Sequence, residues 1–171
     1  MQFCRLKRRE FITLLGGAAM WPLAARAEQA DPVRRVGVLM VYARTDREGQ
    51  DRIVAFLDAL QRLGWNDGRN LRIEYRWSAD DTDRAKAAAA ELVRSTPDVI
   101  VVAGVPGLTE LQKLTSTIPI VFTQVSDPVG SGFVAGQARP GANITGFQNF
   151  EPAIGGKWLG LLMVHSHPQT A

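Results

Sequence analysis

The sequence predicts an α/β fold, an open parallel sheet with helices on both faces. Three observations lead there. Short apolar runs rich in β-branched residues alternate with longer stretches whose apolar residues recur every three or four positions. Glycine, proline and aspartate punctuate each change of period. The inner runs are apolar on both sides, and such strands need cover from helices above and below the sheet.

Each element has its own signature. Residues 33–41 (VRRVGVLMV) form a buried strand. Residues 47–63 place Ile53, Phe56, Leu57, Leu60 and Leu63 on one stripe between charges, which makes an amphipathic helix that Gly64 stops. After the Asn66-Asp67-Gly68 turn, Leu71, Ile73 and Tyr75 alternate with Arg72, Glu74 and Arg76. That is the pattern of a half-exposed edge strand. Asp80 and Asp81 are expected as helix caps, with Asp83 in the first turn of an alanine-rich helix through Val93. Pro97-Asp98 then leads into residues 99–103 (VIVVA), expected to be the most buried strand.

The loop at 104–107 opens a short helix expected from Leu108 to about Leu114. Residues 118–122 make a fourth strand and 143–147 a shorter fifth. The flavodoxin-like strand order, 2-1-3-4-5, is the default expectation for such a sheet. Ligands in such sheets bind beyond the carboxyl ends of the strands, so the loops to watch are 42–46, 78–81, 104–107 and 124–130.

Ahead of this body lies an export address. Lys7-Arg8-Arg9-Glu10-Phe11-Ile12 precedes an apolar run at 11–23, and Ala25-Arg26-Ala27 follows as a small-x-small cleavage site. Arg8 and Arg9 stand where a twin-arginine signal has its pair. A thirteen-residue run reaches only about 20 Å as a helix, short of a hydrocarbon core of roughly 30 Å, so no stable membrane anchor is expected. The mature chain is expected to begin near Glu28, in the periplasm.

Removing residues 1–27 takes Arg5, Lys7, Arg8, Arg9 and Arg26 but only Glu10. Of 20 bases and 17 acids, 15 and 16 remain, and the formal charge moves from +3 to about −1. The basic character thus belongs to the signal and gives no reason to expect nucleic acid as a partner. Cys4, the single cysteine, leaves with it, and disulfides and thiolate chemistry leave too. About 144 residues remain, enough for one domain with a real core.

Catalytic chemistry finds little support in the loops. His165 and His167 lie in the last seven residues, outside every strand-end loop, and no metal site or cofactor is expected from them. Ser126-Asp127 lacks a histidine to complete a triad. Gly104-Val105-Pro106-Gly107 matches neither phosphate-loop pattern, although backbone N–H groups at a helix start there suit a small anion. An exported hydrolase or phosphotransfer domain would have to use Asp127 or Asp81, with no lysine suitably placed after the last strand. Arg76, Trp77 and Tyr42 are divided between ligand contact and plain packing.

Several segments together resemble the exported substrate-binding proteins of ABC transporters, in the two-lobed group that includes aromatic amino-acid binders. They are Arg35-Val36-Gly37-Val38-Leu39, Leu63-Gly64-Trp65, Gly68-Arg69-Asn70, Glu91-Leu92-Val93, Pro97-Asp98-Val99-Ile100 and Ile118-Pro119-Ile120-Val121-Phe122. More specific are Ser126-Asp127-Pro128-Val129-Gly130, Arg139-Pro140-Gly141 and Asn143-Ile144-Thr145-Gly146. The resemblance implies one lobe of a type I periplasmic binding protein that binds a small solute, works with an ABC permease and catalyses nothing.

It also implies ligand contacts from Tyr42, from Gly104, Val105 and Pro106, and from Gln124, Ser126 and Asp127. Residues 28–150 would be the first lobe. Residues 151–171 would be a crossover helix and a tail that leaves the family pattern after Leu162, with the second lobe missing. On that reading solute binding is weakened, and Trp158, Leu159, Leu161 and Leu162 are left exposed to favour self-association. A sensor or partner-binding domain of the same ancestry is the other reading of the same lobe.

Overall fold

A computed structural model describes residues 32–149 and 153–166. The expected signal residues Arg8, Arg9, Ala25 and Ala27 lie outside the described residues. Five strands, β1 (Arg34–Met40), β2 (Leu71–Trp77), β3 (Val99–Ala103), β4 (Ile120–Val125) and β5 (Ile144–Gln148), form one sheet in the order β2-β1-β3-β4-β5. Every neighbouring pair is parallel. All five strands therefore end on one side of the sheet, as the strand order required.

The helices are α1 (Arg47–Arg62), α2 (Thr82–Arg94), α3 (Val105–Leu114) and α4 (Ala153–Ser166). On one face, α1 packs Ile53, Phe56, Leu57 and Leu60 against Val36, Val38 and Met40 of β1. On the other, Leu92 of α2 and Leu108 and Leu111 of α3 pack on Leu39, Ile100, Val102, Ile120 and Phe122. Two faces, one crowded and one carrying α1, explain a difference from expectation. β3 is not the most buried strand: Val99 and Val101 point to the α1 side and are only half-buried, whereas β1 is buried from Val36 to Met40.

Two boundaries also move. α3 begins at Val105, three residues before Leu108, because Pro106 in its first turn has a backbone angle already set for helix and lacks only an N–H that would have no intrahelical partner. β4 starts at Ile120 and runs on to Val125 through an irregularity in its pairing with β5. Of the two expected caps, only Asp81 serves, accepting from the Arg84 N–H at 2.8 Å. Ala79 and Asp80 instead take left-handed backbone angles, φ 53° and 56°.

Several sequence motifs turn out to lock strand to strand. The Asp98 carboxylate accepts the Arg35 N–H at 2.7 Å, tying the start of β3 to β1. That bond, followed by the Arg34 and Arg35 charges, holds its carboxyl below the usual carboxylate range. Asn143 donates its side-chain amide to the carbonyls of Ile118 and Thr115 and so fastens β5 to the start of β4. Trp158, Leu159, Leu161 and Leu162 of α4 are each more than half exposed, as expected.

Candidate functional site

Tyr42 and Gln124, 82 positions apart, meet side chain to side chain where the strands end. The Gln124 Nε2 group donates to the Tyr42 hydroxyl at 2.6 Å, and that hydroxyl donates to Glu48 Oε1 at 3.0 Å. Arg52 clasps the same carboxylate oxygen from one helical turn on, at 2.6 Å, and its guanidinium carbon stands 5.7 Å from the Tyr42 ring centre. Arg52 first, and the Tyr42 hydroxyl second, hold the Glu48 carboxyl below its usual range.

Local backbone choices make this meeting possible. Gly49 is buried, and a Cβ there would come 2.8 Å from the Tyr42 Cβ, so only glycine lets the first turn of α1 sit against Tyr42. Gln124 takes φ 58°, uncommon for a residue with a side chain, and its backbone N–H donates to Asn149 Oδ1 at 3.1 Å just past β5. The Gln124 carbonyl oxygen Oε1 is buried with no hydrogen-bond partner among the described residues.

Between these two stands the start of α3. Gly104 caps it with φ 93° and no side-chain hydrogen bond, and the Gly104 N–H is used by the Thr123 carbonyl at 3.0 Å. The first-turn N–H groups of Val105 and Gly107 have no intrahelical acceptor, and the Val105 side chain is exposed beside them. A helix start of this kind carries partial positive charge suited to a carboxylate.

The remaining expected residues are also on this edge. Ser126 is exposed, and Asp127, at φ 48°, accepts the Gly130 N–H with Oδ1 at 2.8 Å and so builds the turn. Arg76 and Trp77 fall to packing. Arg76 pairs with Glu91 at 2.7 Å, and Trp77 lies in the apolar cluster under α1. An open groove of about 470 Å³ runs along β5 from Phe122 and Pro140 and reaches the edge at Gln148 and Asn149.

Glu48, Arg52 and Asn149 were not singled out from the sequence. Glu48 and Arg52 are legible there as an i, i+4 helix pair, but nothing in that spacing shows that the pair reaches Tyr42. Among the described residues no group of three or more histidine, cysteine or acidic side chains is placed to hold a metal.

Comparison with known proteins decides what kind of sheet this is. Residues 39–154 match the family described as ABC transporter substrate binding protein. The chain belongs to that family. A tyrosine-binding protein of Clostridioides difficile (strain R20291) is 30% identical over 95 residues, which is 56% of this chain and 28% of that protein.

Two solved structures are also similar. The ligand-free, open form of one with adhesive properties from Clostridium difficile superposes with a TM-score of 0.66 at 28% identity, covering 77% of this chain and 43% of that one. An ABC domain in complex with L-Trp from Streptococcus pneumonia gives 0.59 at 25% identity, covering 67% and 38%. This chain spans less than half the length of each of these three relatives.

Proposed function

We propose that this lobe forms one wall of a solute-binding cleft serving an ABC uptake transporter, and that its solute is an amino acid. The observation that carries the reading is the joining of Tyr42 and Gln124 beside the start of α3, at the edge where all five parallel strands end. Family membership and the names of the tyrosine-binding and L-Trp-bound relatives support the solute class. Tyr42 supplies an aromatic wall, and the α3 start at Gly104, Val105 and Pro106 receives a carboxylate. Gln124 and Ser126 hydrogen-bond the polar head, while Asp127 shapes the turn that presents them.

No catalytic step is assigned. Asp81 and Asp127, the acids an enzyme would need, each hold a backbone N–H. The partners are the solute and an ABC permease. Leu159 and Leu162, 58% and 67% exposed, are the surface through which copies of the chain associate. Among the described residues no helix is long and apolar enough to cross a membrane. The protein is exported to the periplasm through the twin-arginine route, with cleavage after Ala27. Replacing Arg8 and Arg9 with lysine abolishes export in a cell-fractionation assay, and unchanged export of that variant excludes the route.

A solute resting on one wall keeps its other face in water and loses the burial that a closed cleft supplies. Calorimetry of residues 28–171 with tyrosine, tryptophan and leucine therefore shows little heat. Saturable heat with micromolar affinity would show that residues 28–171 suffice by themselves and would overturn the reading that a second wall is needed.

A further inference from the structure

Glu48 fixes which way the hydrogen bonds at the strand ends run. An ionised carboxylate only accepts, so the Tyr42 hydroxyl, 3.0 Å from Glu48 Oε1, must donate its proton there. The Tyr42 oxygen is then left to accept, and the group facing it at 2.6 Å must be the Gln124 NH₂. That choice turns the Gln124 carbonyl the other way, where it is buried without a donor among the described residues. Arg52 keeps Glu48 in place with contacts of 2.6 and 3.2 Å to the same oxygen.

We infer that Glu48 is a positioning residue: acting through Tyr42, it holds the Gln124 carboxamide with its carbonyl oxygen reserved for a hydrogen-bond donor of the solute. The inference rests on the proposed solute reading for that last step only; the relay from Glu48 to Gln124 stands apart from it. A solute bearing an N–H or O–H group relieves a buried acceptor that otherwise has no donor among the described residues. Solutes without a donor at that point leave it unrelieved.

Glu48→Gln is the test, because a carboxamide can donate to the Tyr42 oxygen and so removes the constraint while keeping size and helix. Glu48 is exposed in the first turn of α1, and Asp51→Asn, at another exposed acid of the same helix that pairs with Arg47 at 3.8 Å, serves as the control. The readout is the side-chain amide of Gln124 in ¹⁵N-labelled residues 28–171, followed by NMR. In the parent the hydrogen-bonded Nε2 proton is shifted downfield and exchanges slowly. In Glu48→Gln the shift collapses and exchange quickens about tenfold, as expected for losing a bond anchored on a charge.

Tyr42→Phe produces the same loss, and Asp51→Asn none. A Gln124 amide unchanged in Glu48→Gln but altered in Tyr42→Phe would overturn the role of Glu48. Addition of an amino acid at millimolar concentration then reads the second step. A relay that responds to Glu48→Gln while the solute leaves Gln124 unmoved would preserve the positioning role and refute the reserved acceptor.

Discussion

Gly146→Ala breaks the β4–β5 edge of the sheet. Gly146 pairs with Phe122, and a Cβ at this position would run into the Phe122 carbonyl oxygen and lie 2.7 Å from its ring carbon Cδ2. Both obstacles belong to a buried central residue, and a carbonyl in a parallel ladder cannot step aside without losing its pairing. Overpacking of this kind costs about 3 kcal/mol, at the upper end of the usual range. The expected result is a melting temperature lower by about 10 °C.

Gly160→Ala is the matching control, since a Cβ there meets nothing within 4 Å among the described residues, and alanine favours a helix by about 1 kcal/mol. A Gly146→Ala protein that melts with the parent would show that β5 does not pair with β4 as described.

Ile100→Ala costs about 3–4 kcal/mol, whereas Val101→Ala, one residue along the same strand, costs about 1. Ile100 is fully buried among Leu92, Val102 and Ile120 under α2 and α3, so truncation leaves a cavity that close packing cannot refill. Val101 faces the α1 side, where it is only half-buried and has fewer contacts to lose. Urea unfolding with an unchanged slope measures both. Equal losses would mean that both faces of β3 are covered alike.

The strand order was legible because it rests on alternating periods and on the right-handedness of connections, which leave few topologies for five short strands. Helix α1 was read to within a residue because its apolar stripe ends at Gly64, whose φ of 88° is one that glycine adopts readily. The start of α3 was not, since glycine and proline signal a loop and a first helical turn equally well. In the site, strand-end geometry pointed to the loops 42–46, 104–107 and 124–130, and the family resemblance singled out Tyr42, Gly104 and Gln124 within them. The linkage of Tyr42 to Gln124, with Glu48 and Asn149 as their further partners, depends on an irregularity in β4 and the left-handed angle at Gln124, which no periodicity encodes. The Asn143 and Gly146 motif residues are now accounted for by strand locking.

What most directly tests the account is where solute touches the sheet. Backbone amide shifts of labelled residues 28–171, mapped during titration with millimolar tyrosine, are expected to move at Tyr42, Gly104, Gln124 and Ser126, and to stay still at Pro97-flanking Asp98 and at Ile118 on the opposite edge. Shifts gathered at Asp98 and Ile118, with the Tyr42 and Gln124 amides silent, would contradict it.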